Sequence, residues 1–147
     1  MKLKYKAFEF GKMYEQVRVG GMFDGTPTAP TTWNGSDWVN LTGGEHTKVL
    51  PYTGVKDINK KESYLGDILK EPVHQYSSKK DIEKRENSFG IVKKYKNSNN
   101  LYLEWNFRRK YEGECYWDSN ELPITHIDRY EIVGNIYTDP DMIKKED

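Results

Sequence analysis

Leu101, Leu103 and Trp105 alternate with Tyr102, Glu104 and Asn106, directly after an Asn-rich reversal at Lys96-Asn97-Ser98-Asn99-Asn100. An apolar residue at every second position lines one face of an extended chain and leaves the polar partners on the other. The same period opens the chain, where Leu3, Tyr5 and Ala7 interleave with Lys2, Lys4 and Lys6, and Gly11-Lys12 turns it into a return strand over Met13 to Val19. Val49 to Tyr52, Gly66 to Lys70, Phe89 to Val92, Tyr111 to Trp117 and Tyr130 to Tyr137 read as further strands. No apolar stripe of useful length recurs at helical spacing, and no internal repeat is present. Asp139-Pro140-Asp141 suits one helical turn, with a cap and a proline at the first helical position. A chain of this pattern is expected to be mainly β with little helix.

Between these strands the pattern breaks. Residues 20–45 are dense in Gly, Thr, Pro and Asn, which interrupt both periodicities. Asn34-Gly35 suits a tight turn between Trp33 and Trp38 inside this long loop. Residues 77–87 carry charges with Ile82 as the sole apolar side chain, and Ser78 with Asp81 suggests at most a capped turn. A solvated loop is the reading there, because one apolar residue defines no buried helix face.

Charge and composition narrow the function classes. Lys plus Arg and Asp plus Glu are 23 each, so the net charge is zero and no polyanionic partner is demanded. Mean hydropathy is −0.93, polar for a folded protein, but 14% of residues are aromatic, including 4 Trp and 11 Tyr. Aromatic side chains bury large areas, so a thin aromatic core with long polar loops is expected. The single Cys115 allows no internal disulfide, which fits a reducing cytoplasm. No apolar run follows the basic N-terminus or reaches membrane-spanning length, so neither a secretory signal nor a membrane span is expected.

Groups for catalysis are scattered. His46, His74 and His126 stand far apart without a second ligand at metal spacing, and Cys115 is expected to be a buried or inert thiol. Asp24, Asp37, Asp57, Glu62 and Asp67 lie in turn-like contexts, where Asp67 is expected to receive turn N–H groups. No phosphate-cradling glycine loop and no nucleophile elbow is found. The chain reads as a non-enzyme with no cofactor and no metal.

Three blocks resemble the YopX family of phage and prophage proteins. They are Leu3 to Tyr14, Tyr52 to Ile68, and Phe89 to Val92 with Leu101 to Trp105, closing on Tyr130 to Tyr137 and Asp139-Pro140. The resemblance implies a mostly β fold containing an SH3-like small barrel, with no assigned activity. It implies one domain over 1–147: an N-terminal β hairpin region 1–56 with the long loop 20–45, the barrel over 57–137, and a C-terminal turn and tail, 138–147. The order of strands fits a small barrel, with Gly54, Gly66, Gly90 and Gly134 at turns or close backbone crossings. In the hairpin, Lys60 follows Asn59 where glycine is common. If Lys60 takes a positive φ the strain is on the order of 1 kcal/mol; a longer loop around Asn59 would avoid it.

The richest binding signal mixes aromatic and basic groups. Phe107, Arg108, Arg109, Tyr111, Tyr116 and Trp117 are the candidate partner-binding residues, since exposed Tyr, Trp and Arg anchor protein interfaces. Leu101, Leu103 and Trp105 are assigned to the core. The expected function is a cytoplasmic phage or prophage accessory protein that binds a host or phage protein or assembles with itself. The alternative is weak single-stranded nucleic-acid binding through Lys93-Lys94 and Phe107-Arg108-Arg109-Lys110.

Overall fold

The computed structural model describes residues 4–19, 22–23, 26–27, 30–42, 46–72, 79 and 86–143. The chain divides into two units, 1–52 and 53–147. The segments 20–45 and 73–87 lie partly outside the described residues, as do His74, Asp24 and the Ser78–Asp81 turn.

In the first unit, β1 (Tyr5–Glu9) and β2 (Lys12–Arg18) form the expected N-terminal hairpin. Two short strands, β3 (Met22–Phe23) and β4 (Thr26–Pro27), pair with each other. β5 (Thr31–Trp33) joins the outer side of β2 and then pairs with β6 (Trp38–Asn40). The turn between Trp33 and Trp38 forms as the Asn-Gly pair implies: the Asn34 side-chain oxygen accepts the N–H groups of Ser36 and Asp37. On its other side β1 pairs with the first half of β7 (Thr47–Lys56). The buried set combines Ala7, Leu41 and Leu50 with Glu9, Thr32 and Thr47. Glu9 Oε1 accepts from the Thr42 N–H and the Thr47 hydroxyl, both at 2.6 Å, so this buried acid holds a loop and a strand to β1.

In the second unit, the far end of β7 lies beside β8 (Glu62–Tyr64). The hairpin between them is pinned by Asp57, which is buried. Its Oδ1 accepts from the N–H groups of Asn59 and Lys61, and its Oδ2 from Ile132, 75 residues away. Lys60 sits at φ 67°, so the strained alternative is the one adopted, and the Asp57 bonds hold it there. A five-stranded antiparallel sheet follows, in the order β12-β11-β10-β9-β13. Its members are β9 (Asp67–Lys70), β10 (Ser88–Lys94), β11 (Leu101–Tyr111), β12 (Glu114–Leu122) and β13 (Glu131–Asn135). The three segments central to the sequence reading thus lie side by side as β9, β10 and β11.

Both faces of this sheet are covered. Leu69, Val92, Leu103, Trp105 and Ile132 bury on one side with Ile127 from a 3-10 turn, Ile124–Arg129. Ile68, Phe89 and Ile91 bury on the other, packed by Trp117, Val133, Ile136 and Ile143. Gly90 is dictated by the first cluster: a Cβ there would lie 2.7 Å from the Trp105 ring, which in turn stacks on Tyr130 at 4.3 Å. Gly66 is dictated by its backbone, at φ 90° in the turn before β9. Asp67 accepts the Tyr64 N–H, as expected of a turn acid, and also the Asn135 side-chain amide.

Two expectations change. β12 and β13 are the outer strands of an open sheet, so no closed barrel is found among the described residues. β12 pairs with β11 along its whole length, from Glu114 opposite Tyr111 to Leu122 opposite Leu103. The stretch Tyr111 to Trp117 is not one strand. Glu112 and Gly113, at φ 51° and 82°, make a two-residue turn, because two successive positive φ values are what a tight hairpin requires. The 3-10 turn with buried Ile127 has no counterpart in the sequence reading, since one buried residue leaves no periodicity. The C-terminal turn at Pro140–Ile143 forms, as 3-10 helix.

Candidate functional site

β10 pairs with β11 from Ser88 opposite Phe107 to Lys94 opposite Leu101. β11 continues beyond that contact, so Arg108 to Tyr111 pair with β12 while extending past the β10 register. Arg108 to Tyr111 and their β12 partners therefore form a two-stranded ribbon whose tip is the Glu112-Gly113 turn, with Phe107 at its base opposite Ser88.

Directly opposed residues share a face of an antiparallel pair. Arg109 opposes Tyr116, Phe107 opposes Asp118, and Tyr111 opposes Glu114. These four candidates, Phe107, Arg109, Tyr111 and Tyr116, share one face. Arg108 opposes Trp117, and this pair occupies the other face. The structure therefore splits the set of six into four and two.

On the first face the Arg109 Nη1 donates to Asp118 Oδ2 at 3.1 Å, and the guanidinium lies 5.9 Å from the Phe107 ring. Arg109 thus finds its balancing acid across the strand pair. The Arg109 hydrogen bond, with the Ser119 N–H second, holds the Asp118 carboxyl below its usual range. Tyr111 is 64% exposed and Tyr116 41% exposed. Cys115 is also exposed, which corrects the buried half of the expectation of a buried or inert thiol.

On the second face Trp117 tilts against Phe89 at 5.5 Å and belongs to the core. Asn106 is fully buried beside it. Its side-chain N–H donates to Glu104 Oε1 at 3.2 Å, and Glu104 Oε2 accepts Lys93 Nζ at 2.9 Å. Asn106 Oδ1, Arg108 Nε and Trp117 Nε1 are buried without hydrogen-bond partners among the described residues. Sequence reasoning missed Asn106, which occupies the polar phase of the alternation and gives no sign that its face is covered.

The basic positions of the nucleic-acid alternative are partly occupied: Lys93 holds Glu104 and Arg109 holds Asp118. His46 stacks on Phe10 at 5.1 Å, and His126 lies in the Ile124–Arg129 turn. Among the described residues no group of three or more His, Cys, Asp or Glu converges as a metal site. None of their helices is long and apolar enough to cross a membrane.

No curated protein matches the chain. Among solved structures it is similar to the crystal structure of protein EF1440 from Enterococcus faecalis, with a TM-score of 0.53 and 19% identity. That match covers 98% of this chain and 99% of the other, and it supports the fold alone. The family model described as YopX protein matches residues 9–144, nearly the whole chain, and the protein therefore belongs to the YopX family.

Proposed function

We propose that this YopX-family protein is a non-catalytic accessory protein of a phage or prophage, acting in the bacterial cytoplasm as a protein-binding or self-assembling module. The observation that carries the reading is the β11–β12 ribbon. It extends past the β10 register, ends in exposed Tyr111 and Tyr116, and its outer strand β12 is the edge of the sheet. An edge strand offers unpaired backbone groups at strand spacing, and exposed Tyr supplies large contact area at little entropic cost. A host or phage protein, or a second copy of the chain, would add to that edge. The single exposed Cys115 accords with a reducing compartment.

The nucleic-acid reading has less support, because Lys93 and Arg109 already hold carboxylates. Retention of an oligonucleotide at low salt that collapses as salt rises would revive it. The SH3-like course of the strands belongs to the same proposal and rests on the β9, β10, β11 order.

Light scattering on the full chain tests the interface. The double variant Tyr111→Ser, Tyr116→Ser should shift any oligomer to monomer, or abolish binding of a partner recovered from infected cells, with circular dichroism unchanged. A variant that assembles and binds as the parent does removes the ribbon from the reading.

A further inference from the structure

The tip of the β5–β6 hairpin sets an asparagine before a glycine, and Asn34 is the sole asparagine of the chain with that neighbour. Asn34, Gly35, Ser36 and Asp37 are all exposed. The main chain closes the loop through the Asn34 N–H, which donates to the Asp37 carbonyl at 3.0 Å. The Asn34 side chain folds back over the same loop. Its Oδ1 accepts the N–H groups of Ser36 at 2.9 Å and Asp37 at 2.8 Å. The Gly35 N–H has no hydrogen-bond partner among the described residues. Gly35 stands at φ 103°, and a Cβ there would meet nothing within 4 Å.

This arrangement favours one reaction. A bond from the Gly35 nitrogen to the Asn34 carboxamide carbon closes a small ring within the chain, and intramolecular closure carries a large entropic advantage. The nitrogen is committed to no acceptor, and glycine sets no side chain in the path of closure. Oδ1 is the oxygen on which negative charge builds as the nitrogen adds. Two backbone donors already point at it, as in an oxyanion hole.

We propose that Asn34 is a site of self-modification, converted by the Gly35 nitrogen through a cyclic imide into aspartate and isoaspartate. Hydroxide takes the Gly35 amide proton, and the freed electron pair forms the bond to the Asn34 carboxamide carbon. The side-chain nitrogen takes up a proton and leaves as ammonia. Water then opens the imide. Cleavage at the former side-chain carbonyl restores the chain with aspartate, and cleavage at the main-chain carbonyl routes the chain through the side chain as isoaspartate. Water is the only co-reactant, and nothing is oxidised or reduced. Aspartate keeps an oxygen that accepts from Ser36 and Asp37, so the hairpin survives that product. Isoaspartate inserts a methylene into the backbone between Trp33 and Trp38, which oppose each other with ring centroids 5.6 Å apart, and it breaks the register that holds them. Loss of ammonia makes the change one-way, so converted hairpins accumulate as the molecule ages. The site is separate from the β11–β12 ribbon and stands or falls without it.

The test holds the full-length protein at mildly alkaline pH and follows each asparagine by peptide mapping with mass spectrometry and an isoaspartate-specific assay. Asn34 should convert at least about tenfold faster than Asn97, which also lies in a turn but precedes Ser98. It should convert in the folded chain no more slowly than in the same chain unfolded in urea, because folding supplies the donors to Oδ1. Asn34→Gln, whose closure needs a larger ring, should stay intact over the same period. Isoaspartate at this position should diminish the near-ultraviolet circular dichroism of the Trp33–Trp38 pair, whereas Asn34→Asp should keep it. Conversion no faster than at Asn97, or protection of Asn34 by folding, would overturn the assignment, because the bonds to Oδ1 would then hold the carboxamide away from Gly35. An unchanged tryptophan signal in isoaspartate-rich protein would overturn the effect on the hairpin.

Discussion

Trp105 and Trp117 lie against opposite faces of one sheet in the 53–147 unit, whereas Trp33 and Trp38 of the 1–52 unit pack on each other at a tilt with much of their surface in solvent. Arg18 lies 3.8 Å from the Trp38 ring and partly shields it. Both buried apolar clusters found among the described residues belong to the larger unit. The smaller unit buries Glu9, Thr32 and Thr47 among its few buried residues and ties them by hydrogen bonds. The contrast teaches that an aromatic-rich composition does not by itself specify a core. A tryptophan contributes to one only where another element covers its face of the sheet, whereas hydrogen-bonded buried polar groups occur in both units, Glu9 and Thr47 in the smaller and Asp57, Asp67 and Asn135 in the larger.

The largest effect should separate the two units directly. Leu103 and Leu50 are both fully buried, but Leu103 sits within a cluster. Leu103→Ala is expected to cost about 3–4 kcal/mol and Leu50→Ala about 2 kcal/mol in urea denaturation. A larger loss for Leu50→Ala would break the contrast. Next, Glu9→Ala strands the Thr42 N–H and the Thr47 hydroxyl, and should cost about 2 kcal/mol. Accelerated exchange of the Thr42 amide, with β10 amides unchanged, would confine that loss to the smaller unit.

A gain is expected at Lys60. Its φ of 67° is unstrained for glycine, so Lys60→Gly should raise stability by up to about 1 kcal/mol, provided Asp57 keeps the turn closed. A lower melting temperature would show that the Lys60 side chain contributes more than its backbone costs. The smallest effect is electrostatic and lies on the exposed ribbon. Asp118 is held below the usual carboxylate range when folded. Its pairing with Arg109 is therefore fully present above the ordinary carboxylate value and is lost as pH falls through the lower folded one. Carboxyl chemical shifts should show that lowered midpoint in the parent and an ordinary one in Arg109→Gln, with little change in global stability. Equal midpoints would mean the pair does not persist in solution.

Much of the backbone plan was legible. The Leu101–Trp105 alternation, the Asn97 reversal at φ 63°, the Asn34-Gly35 hairpin and the first β hairpin follow from period-two patterning and turn chemistry. So does the role of Asp67 as an acceptor of turn N–H groups. The Glu112-Gly113 turn was missed because aromatic residues continue on both sides of it and suggest an unbroken strand. The candidate ribbon was legible as a composition but not as a surface. Successive residues Phe107, Arg108 and Arg109 point to opposite faces, and only the register with β12 shows which of them stand together.

Alternation by itself determined that this chain is built from strands, where many of them begin, and which side chains share a face. The tertiary structure decided which second faces are covered, and so buried Asn106, a polar residue whose position in the pattern looks outward. The reason is physical: period two specifies two faces for every strand, but desolvation depends on what packs against each, and that partner comes from elsewhere in the chain.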